Sequence, residues 1–249
     1  MRATRQACSQ YVMTRKVHKP RSPDEEILGT KRRTAKQELT EDERIERIDG
    51  EMRIAFSALK ELGPAVTIFG SARTPEHHPV YSQTRDIAQR LGRAGFSIIT
   101  GGGPGVMEAG NRGAQDVGAK SVGLNIELPF EQHANPYQDI ELDFHYFFTR
   151  KLMFVRYATA FVVMPGGYGT LDELFEALVL EQTDKIHDFP IILFGSDYWE
   201  GLVDWMHEKL VGEQMMAPAD LSLLRVTDDP QEVVDSICHA RDRVDLEAA

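Results

Sequence analysis

Beyond Thr40 the apolar residues first recur at helical spacing, as Ile45, Ile48, Met52, Ile54 and Phe56. Thr40-Glu41-Asp42-Glu43 stands directly ahead of them with the order of a capping box, so folded structure is expected to begin there with a helix. After Gly63-Pro64 the rhythm changes. Short β-rich apolar runs alternate with longer amphipathic stretches, and Gly-containing turns separate them. The runs place strands at Ala65 to Phe69, Phe96 to Thr100, Ser121 to Asn125, Ile140 to Phe147, Ala160 to Met164 and Pro190 to Phe194, with a shorter one at Leu223 to Val226. Helices fill most of the gaps between them. Runs such as Ala65-Val-Thr-Ile-Phe69 and Ala160-Phe-Val-Val-Met164 are apolar almost throughout, as expected of parallel strands covered by helices on both faces. The pattern predicts a doubly wound α/β domain, and such sheets bind ligands beyond the carboxyl ends of their strands.

Composition agrees with one domain of this kind. The chain has 249 residues, 42% of them hydrophobic and 27% charged, enough to build a real core. Its net charge of −11 is unevenly spread: residues 1–36 carry ten Lys/Arg against three Asp/Glu, leaving 18 against 36 in the remainder. Residues 1–39 therefore read as a basic, solvated extension and 40–249 as the domain. A body near −18 repels a phosphate backbone, which disfavours nucleic acid as the main ligand. No apolar run approaches the ~20 residues that cross a bilayer, and no apolar segment of signal-peptide type follows the basic start. Cys8 and Cys238 lie at opposite ends of the chain and form no disulfide framework or metal knuckle. A reducing cytoplasm is the expected compartment, with a small-molecule ligand and no membrane partner.

Three strand-to-helix turns carry the candidate chemistry: Gly70-Ser71-Ala72-Arg73, Gly101-Gly-Gly103-Pro104-Gly105, and Pro165-Gly166-Gly167-Tyr168-Gly169-Thr170. Glycines admit close approach of a ligand to the backbone, and the free N–H groups at a helix start attract an anion, phosphate above all. Each turn taken alone could equally be a tight connection. Val106 stands where a dinucleotide fingerprint needs its third glycine, and Ala119 interrupts the only spacing near a Walker A loop. No zinc-protease, nucleophile-elbow or Cys-His arrangement occurs. Beside the third turn, Asp172 and Glu173 are expected to face the ligand, although Thr170 and Glu173 also have the spacing of a capping box. Arg150-Lys151 should open the helix before the Ala160 strand, where basic residues oppose the helix dipole unless an anion or carboxylate is near. A solvated helix face is the plainer reading of that pair.

Taken together, Pro165-Gly-Gly-Tyr-Gly-Thr-Leu-Asp-Glu173, Arg150-Lys151 and Gly101-Gly-Gly-Pro-Gly-Val-Met-Glu108 resemble the LOG (Lonely Guy) family of cytokinin riboside 5'-monophosphate phosphoribohydrolases. The resemblance runs from about Ala65 to Phe194. The segment Gly123 to Pro129 continuing to Asn135-Pro-Tyr137, and Glu108, look closer to the longer bacterial members than to the plant ones. It implies a Rossmann-like fold, catalytic roles for Arg150 and Glu173, and a phosphate cradle of Gly166, Gly167, Gly169 and Thr170. Glu131 matches a ligand-contacting acid. Ser71, Gly103, Gly105, Lys151 and Asp172 complete the expected substrate contacts. The implied reaction is hydrolysis of the N-glycosidic bond of an adenosine 5'-monophosphate, plain or N6-substituted, without metal or cofactor, in a homodimer or larger homo-oligomer. Members are often labelled lysine decarboxylases, yet no recognisable pyridoxal phosphate site appears. The competing class is a carrier that binds a nucleotide or molybdenum cofactor on the same fold without reaction.

Overall fold

Thr40 starts the first helix as its side chain predicts. Its Oγ1 accepts the Glu43 N–H at 3.2 Å, while its own N–H donates to Glu43 Oε2 at 2.6 Å. The computed structural model describes residues 39–128 and 133–247, together with Asp24 and Ile27. The rest of the basic extension, with Cys8, and the segment holding Glu131 lie outside the described residues.

From that start the chain runs α1 (Glu41–Leu59), β1 (Ala65–Phe69), α2 (Pro79–Arg93), β2 (Ser97–Thr100), α3 (Val106–Gln115), β3 (Ser121–Ile126), β4 (Ile140–Phe144), α4 (Phe147–Tyr157), β5 (Ala160–Val163), α5 (Tyr168–Gln182), β6 (Ile191–Phe194), α6 (Ser196–Trp205), β7 (Leu224–Thr227) and α7 (Pro230–Glu247). A π-helical turn, Met206–Val211, extends α6, and a 3-10 turn, Pro218–Leu223, precedes β7. All seven expected strands are present, and every neighbouring pair in the sheet is parallel. Among the described residues no helix is long and apolar enough to cross a membrane.

Period-two alternation sends each strand into two cores at once. In β1, Ala65 and Phe69 join Phe154, Phe161, Leu174 and Trp199 on one side of the sheet, whereas Val66 and Ile68 join Ile87, Leu91, Val162 and Val233 on the other. Helices α1, α4, α5 and α6 cover the first face; α2, α3 and α7 cover the second. This two-sided burial is why the strands read as nearly unbroken apolar runs.

The strand order is β4-β3-β2-β1-β5-β6-β7. The chain moves outward from β1 to one edge, returns to β5 beside β1, and moves outward again. Val66 to Phe69 pair with Ala160 to Val163 at this reversal. In open α/β sheets the helices leaving two such strands diverge to opposite faces, which opens a crevice at their carboxyl ends.

One expected strand is shorter than its pattern suggests. β4 stops at Phe144 instead of Phe147, because the segment after it turns into α4. Glu51 on α1 drives that turn: its carboxylate accepts the His145 N–H at 2.9 Å and the Thr149 hydroxyl at 2.7 Å. Asp24 Oδ1 accepts the Phe147 N–H at 3.1 Å. Two carboxylates thus meet the positive end of α4, which no side chain of its own N-cap residue Tyr146 satisfies.

Candidate active site

A cleft of about 700 Å³ opens at the β1/β5 reversal. Its floor joins the first and third glycine turns: Ser71 donates its N–H to Pro165 O at 3.0 Å, and Met164 donates to Phe69 O at 2.8 Å. Behind them, Val106 at the start of α3 donates to Ser71 O at 3.1 Å. That contact requires Gly105, which has φ +69° and whose Cβ would stand 2.5 Å from Ser71 O.

The third turn forms the start of α5. Gly167 is the N-cap residue, and its carbonyl accepts the N–H of Thr170 at 3.0 Å, leaving the earlier amides of the helix start without an intrahelical acceptor. Gly166 is packed so closely under this turn that a Cβ there would overlap the Thr170 side chain. From α6, Tyr198 donates its hydroxyl to Gly166 O at 2.6 Å and fixes the turn from outside. The free amides and the dipole of a 15-residue helix point into the cleft, an arrangement suited to an anion.

The capping box that Thr170 and Glu173 spell in sequence does not form. The helix begins two residues before Thr170, so both side chains lie inside it, and no side chain bonds to the cap. Glu173 is instead 4% exposed and lines the cleft, and its Oε2 lacks any hydrogen-bond partner among the described residues. Burial pushes its pKa up to about 7, against the opposing pull of Lys151 and Arg150. A buried carboxyl with an unused oxygen is costly unless something occupies the cleft beside it.

Arg150 lines the cleft from α4. Its guanidinium lies over the rings of Phe147 at 5.1 Å and Phe154 at 5.4 Å, and its Nε has no hydrogen-bond partner among the described residues. Burial lowers its pKa, opposed chiefly by the field of Glu173. Phe147, Phe154, Ile126, Leu128 and Met107 make the adjoining wall apolar.

Not all expected contacts converge here. Gly166, Gly167, Gly169, Thr170, Glu173, Arg150 and Ser71 line the cleft together. Lys151 and Asp172 do not: they pair with each other at 3.1 Å, with Glu176 also 2.9 Å from Lys151, on the adjacent outer groove of α5. Successive helical residues are about 100° apart, so Lys151 cannot share the face of Arg150, nor Asp172 that of Glu173. Gly103 and Gly105 also stay outside the lining. Asn135 Nδ2 donates to Gly103 O at 3.0 Å, and Gly105 packs against the first turn as described. Glu131 lies outside the described residues. Tyr198 and Arg73 also line the cleft; no motif surrounds Tyr198 in the sequence, whereas Arg73 belongs to the first glycine turn.

Among the described residues no group of three or more His, Cys, Asp or Glu could hold a metal ion. Among the described residues no lysine lines the cleft, and Lys151 is engaged elsewhere, so the donors described do not fit pyridoxal phosphate, which needs a lysine to anchor it.

Fold and cleft together define an open, Rossmann-like α/β protein with an anion-suited helix start and a buried acid at its switch point. Residues 107–237 match the family described as "Possible lysine decarboxylase", and the chain belongs to that family, the LOG family. It is 28% identical over 167 residues to the cytokinin riboside 5'-monophosphate phosphoribohydrolase LOG3 of Arabidopsis thaliana, covering 63% of this chain and 75% of that one. A probable enzyme of the same name from Oryza sativa subsp. japonica, LOGL6, is 34% identical over 89 residues, only 35% of either chain. Among solved structures, the molybdenum cofactor carrier protein of Chlamydomonas reinhardtii superposes with a TM-score of 0.53 at 18% identity, covering 72% of this chain and 98% of that one, a likeness of fold.

Proposed function

We propose that the chain hydrolyses the N-glycosidic bond of adenosine 5'-monophosphates, plain or N6-substituted, releasing the free base and ribose 5-phosphate. The observation that carries this reading is the buried Glu173 carboxyl with its unpartnered Oε2, set beside Arg150 in a cleft whose floor is an anion-suited helix start. The names of the relatives support it. In the reaction the bond between ribose C1' and the base nitrogen breaks, water supplies the hydroxyl at C1', and the remaining proton of that water ends on the base.

Positive charge develops on the ribose ring as the bond stretches. An ionised Glu173, fixed by α5 and shielded from solvent, stabilises that charge and accepts the proton of the attacking water. A pKa near 7 suits a group that must take up and release a proton at neutral pH. Arg150 holds the ribose and Glu173 in register. The 5'-phosphate sits on the amides of the Gly166 to Thr170 turn, and its binding energy positions a sugar that makes few other charged contacts. The apolar wall of Phe147, Phe154 and Leu128 receives the flat base.

A second copy of the chain completes the assembly in this reading. Phe148, Leu152, Phe175 and Val179 are exposed by 36–54% on α4 and α5, around the outer groove that shares Tyr168 and Leu171 with the cleft. An apolar face this close to a site suits a homodimer contact. Sedimentation should show a dimer that Val179→Asp weakens; a wild-type monomer would remove this part of the proposal.

The function is tested by incubating the protein with AMP and N6-isopentenyl-AMP and separating base from nucleotide. Release of base by wild type and not by Glu173→Gln supports the hydrolase. A stable complex with unreacted nucleotide would make the protein a carrier instead.

A further inference from the structure

The geometry points to Arg73, on the turn after β1 that is bonded to the turn opening α5, as the cation that neutralises the phosphate of the ligand; this rests on the nucleotide reading of the cleft above. A phosphate monoester carries a charge of roughly −1.5 to −2 at pH 7. The start of α5 offers only about half a positive charge, so a full cation is needed beside it. Three basic side chains lie near enough to be considered: one is held in ion pairs, and one is partly buried beside Glu173, where the reading above gives it to the ribose. Lys151 is tied to Asp172 and Glu176 and faces the outer groove. Arg150 lies across the rings of Phe147 and Phe154 with its field directed at Glu173. Arg73 remains, and it lines the cleft.

What distinguishes Arg73 is its place beside the cleft with its guanidinium unengaged among the described residues. Arg85, Arg90, Arg112, Arg225 and Arg243 are each paired with a carboxylate. Arg73 and Arg150 apart, the described arginines without such a pair, such as Arg93 and Arg156, lie away from the cleft lining. Arg73 has no ion pair among the described residues, although its side chain is exposed and adjoins a cleft with a carboxyl in it. Its backbone is nonetheless held: the Arg73 N–H donates to Ser71 Oγ at 3.1 Å, and Ser71 is bonded through its N–H to Pro165 O and through its carbonyl to Val106 N. The guanidinium therefore projects from a turn stitched to the phosphate-binding turn itself. A planar guanidinium presents two parallel N–H groups to phosphate oxygens, which an ammonium does not.

Three variants test this assignment. In Arg73→Ala, kcat/KM for AMP should fall about tenfold or more, the scale of one charge-assisted hydrogen bond, with the loss in KM and not in kcat. Cleavage of adenosine, which has no phosphate, should not change. Arg73→Lys should recover part of the loss. A binding arm is independent of turnover: in the Glu173→Gln background, calorimetry with ribose 5-phosphate should show affinity reduced tenfold or more when Arg73 is also replaced by Ala. Melting temperatures confirm that the variants fold. Equal ribose 5-phosphate affinity with and without Arg73, or equal losses on AMP and adenosine, overturns the assignment. If wild type releases no base but ribose 5-phosphate binding still depends on Arg73, the hydrolase reading falls and the assignment stands.

Discussion

Lys151 restrains the Glu173 carboxyl from outside the cleft. Its ammonium pairs with Asp172 and Glu176, the residues before and three after Glu173, and its field is the strongest of those that oppose the effect of burial on that carboxyl. Burial alone would lower the Lys151 pKa, but its bonds to Glu176 and Asp172 outweigh that and leave it raised, so it stays charged across the working range. The outer pair is thus electrostatically part of the site it does not touch.

Replacing Lys151 by Ala should therefore raise the Glu173 pKa further. If the ionised carboxylate is the active form, wild-type kcat/KM rises with pH through about 7 and levels off above it. In Lys151→Ala the inflection should move to higher pH while the plateau is retained. An unchanged pH profile would mean that solvent screens the two groups from each other.

Glu173→Gln should separate activity from stability. The rate on AMP is expected to fall by on the order of 10² or more with little change in KM. Stability should move the other way. Because the folded protein holds the Glu173 proton up to about pH 7 and the unfolded chain only to about 4.5, wild type has its full stability below the lower value. It loses up to about 3 kcal/mol as pH rises to the upper one. Glutamine has no proton to lose, so denaturant midpoints of the variant should exceed wild type at pH 8 and converge with it near pH 4.

Gly166→Ala and Gly167→Ala make a matched pair. A methyl at Gly166 meets the Thr170 side chain, whereas the space around Gly167 is open within 4 Å. The first change should shift the start of α5, lower the melting temperature and weaken ribose 5-phosphate binding about tenfold or more. The second should leave the melting temperature near wild type.

Glu51→Ala removes the carboxylate that accepts from His145 and Thr149 at the start of α4. A loss of about 1–2 kcal/mol is expected, the scale of a helix cap. Since Arg150 sits in the first turn of that helix, the rate on AMP should fall as well, and Glu51→Gln should restore part of both.

The parts of this molecule that were legible in the sequence are those encoded within a few residues. Strands buried on both faces announce themselves as apolar runs, and all seven were placed, with most ends within one residue. The glycine turns were found because each abuts such a run. Facing was harder to read. Thr170 and Glu173 have capping-box spacing wherever the helix begins, and only the position of Gly167 as its N-cap residue shows that they lie too far inside. Lys151 and Asp172 each adjoin a cleft residue in sequence, yet one step along a helix turns a side chain by about 100°. Tyr198 and Glu51 act on residues 32 and 94 positions away, a relation no local pattern contains.

The reversal between β1 and β5 also bears on how the fold holds together. Gly70 and Gly166 belong to opposite halves of the sheet, and their turns meet only where β1 and β5 lie side by side. A ligand seated across both turns therefore acts as a reversible cross-link between the halves, absent from the unfolded chain. Saturation at a hundred times Kd would add about 2.7 kcal/mol to the free energy of unfolding. Ligand-dependent melting would then report the joining of the two halves as directly as it reports affinity.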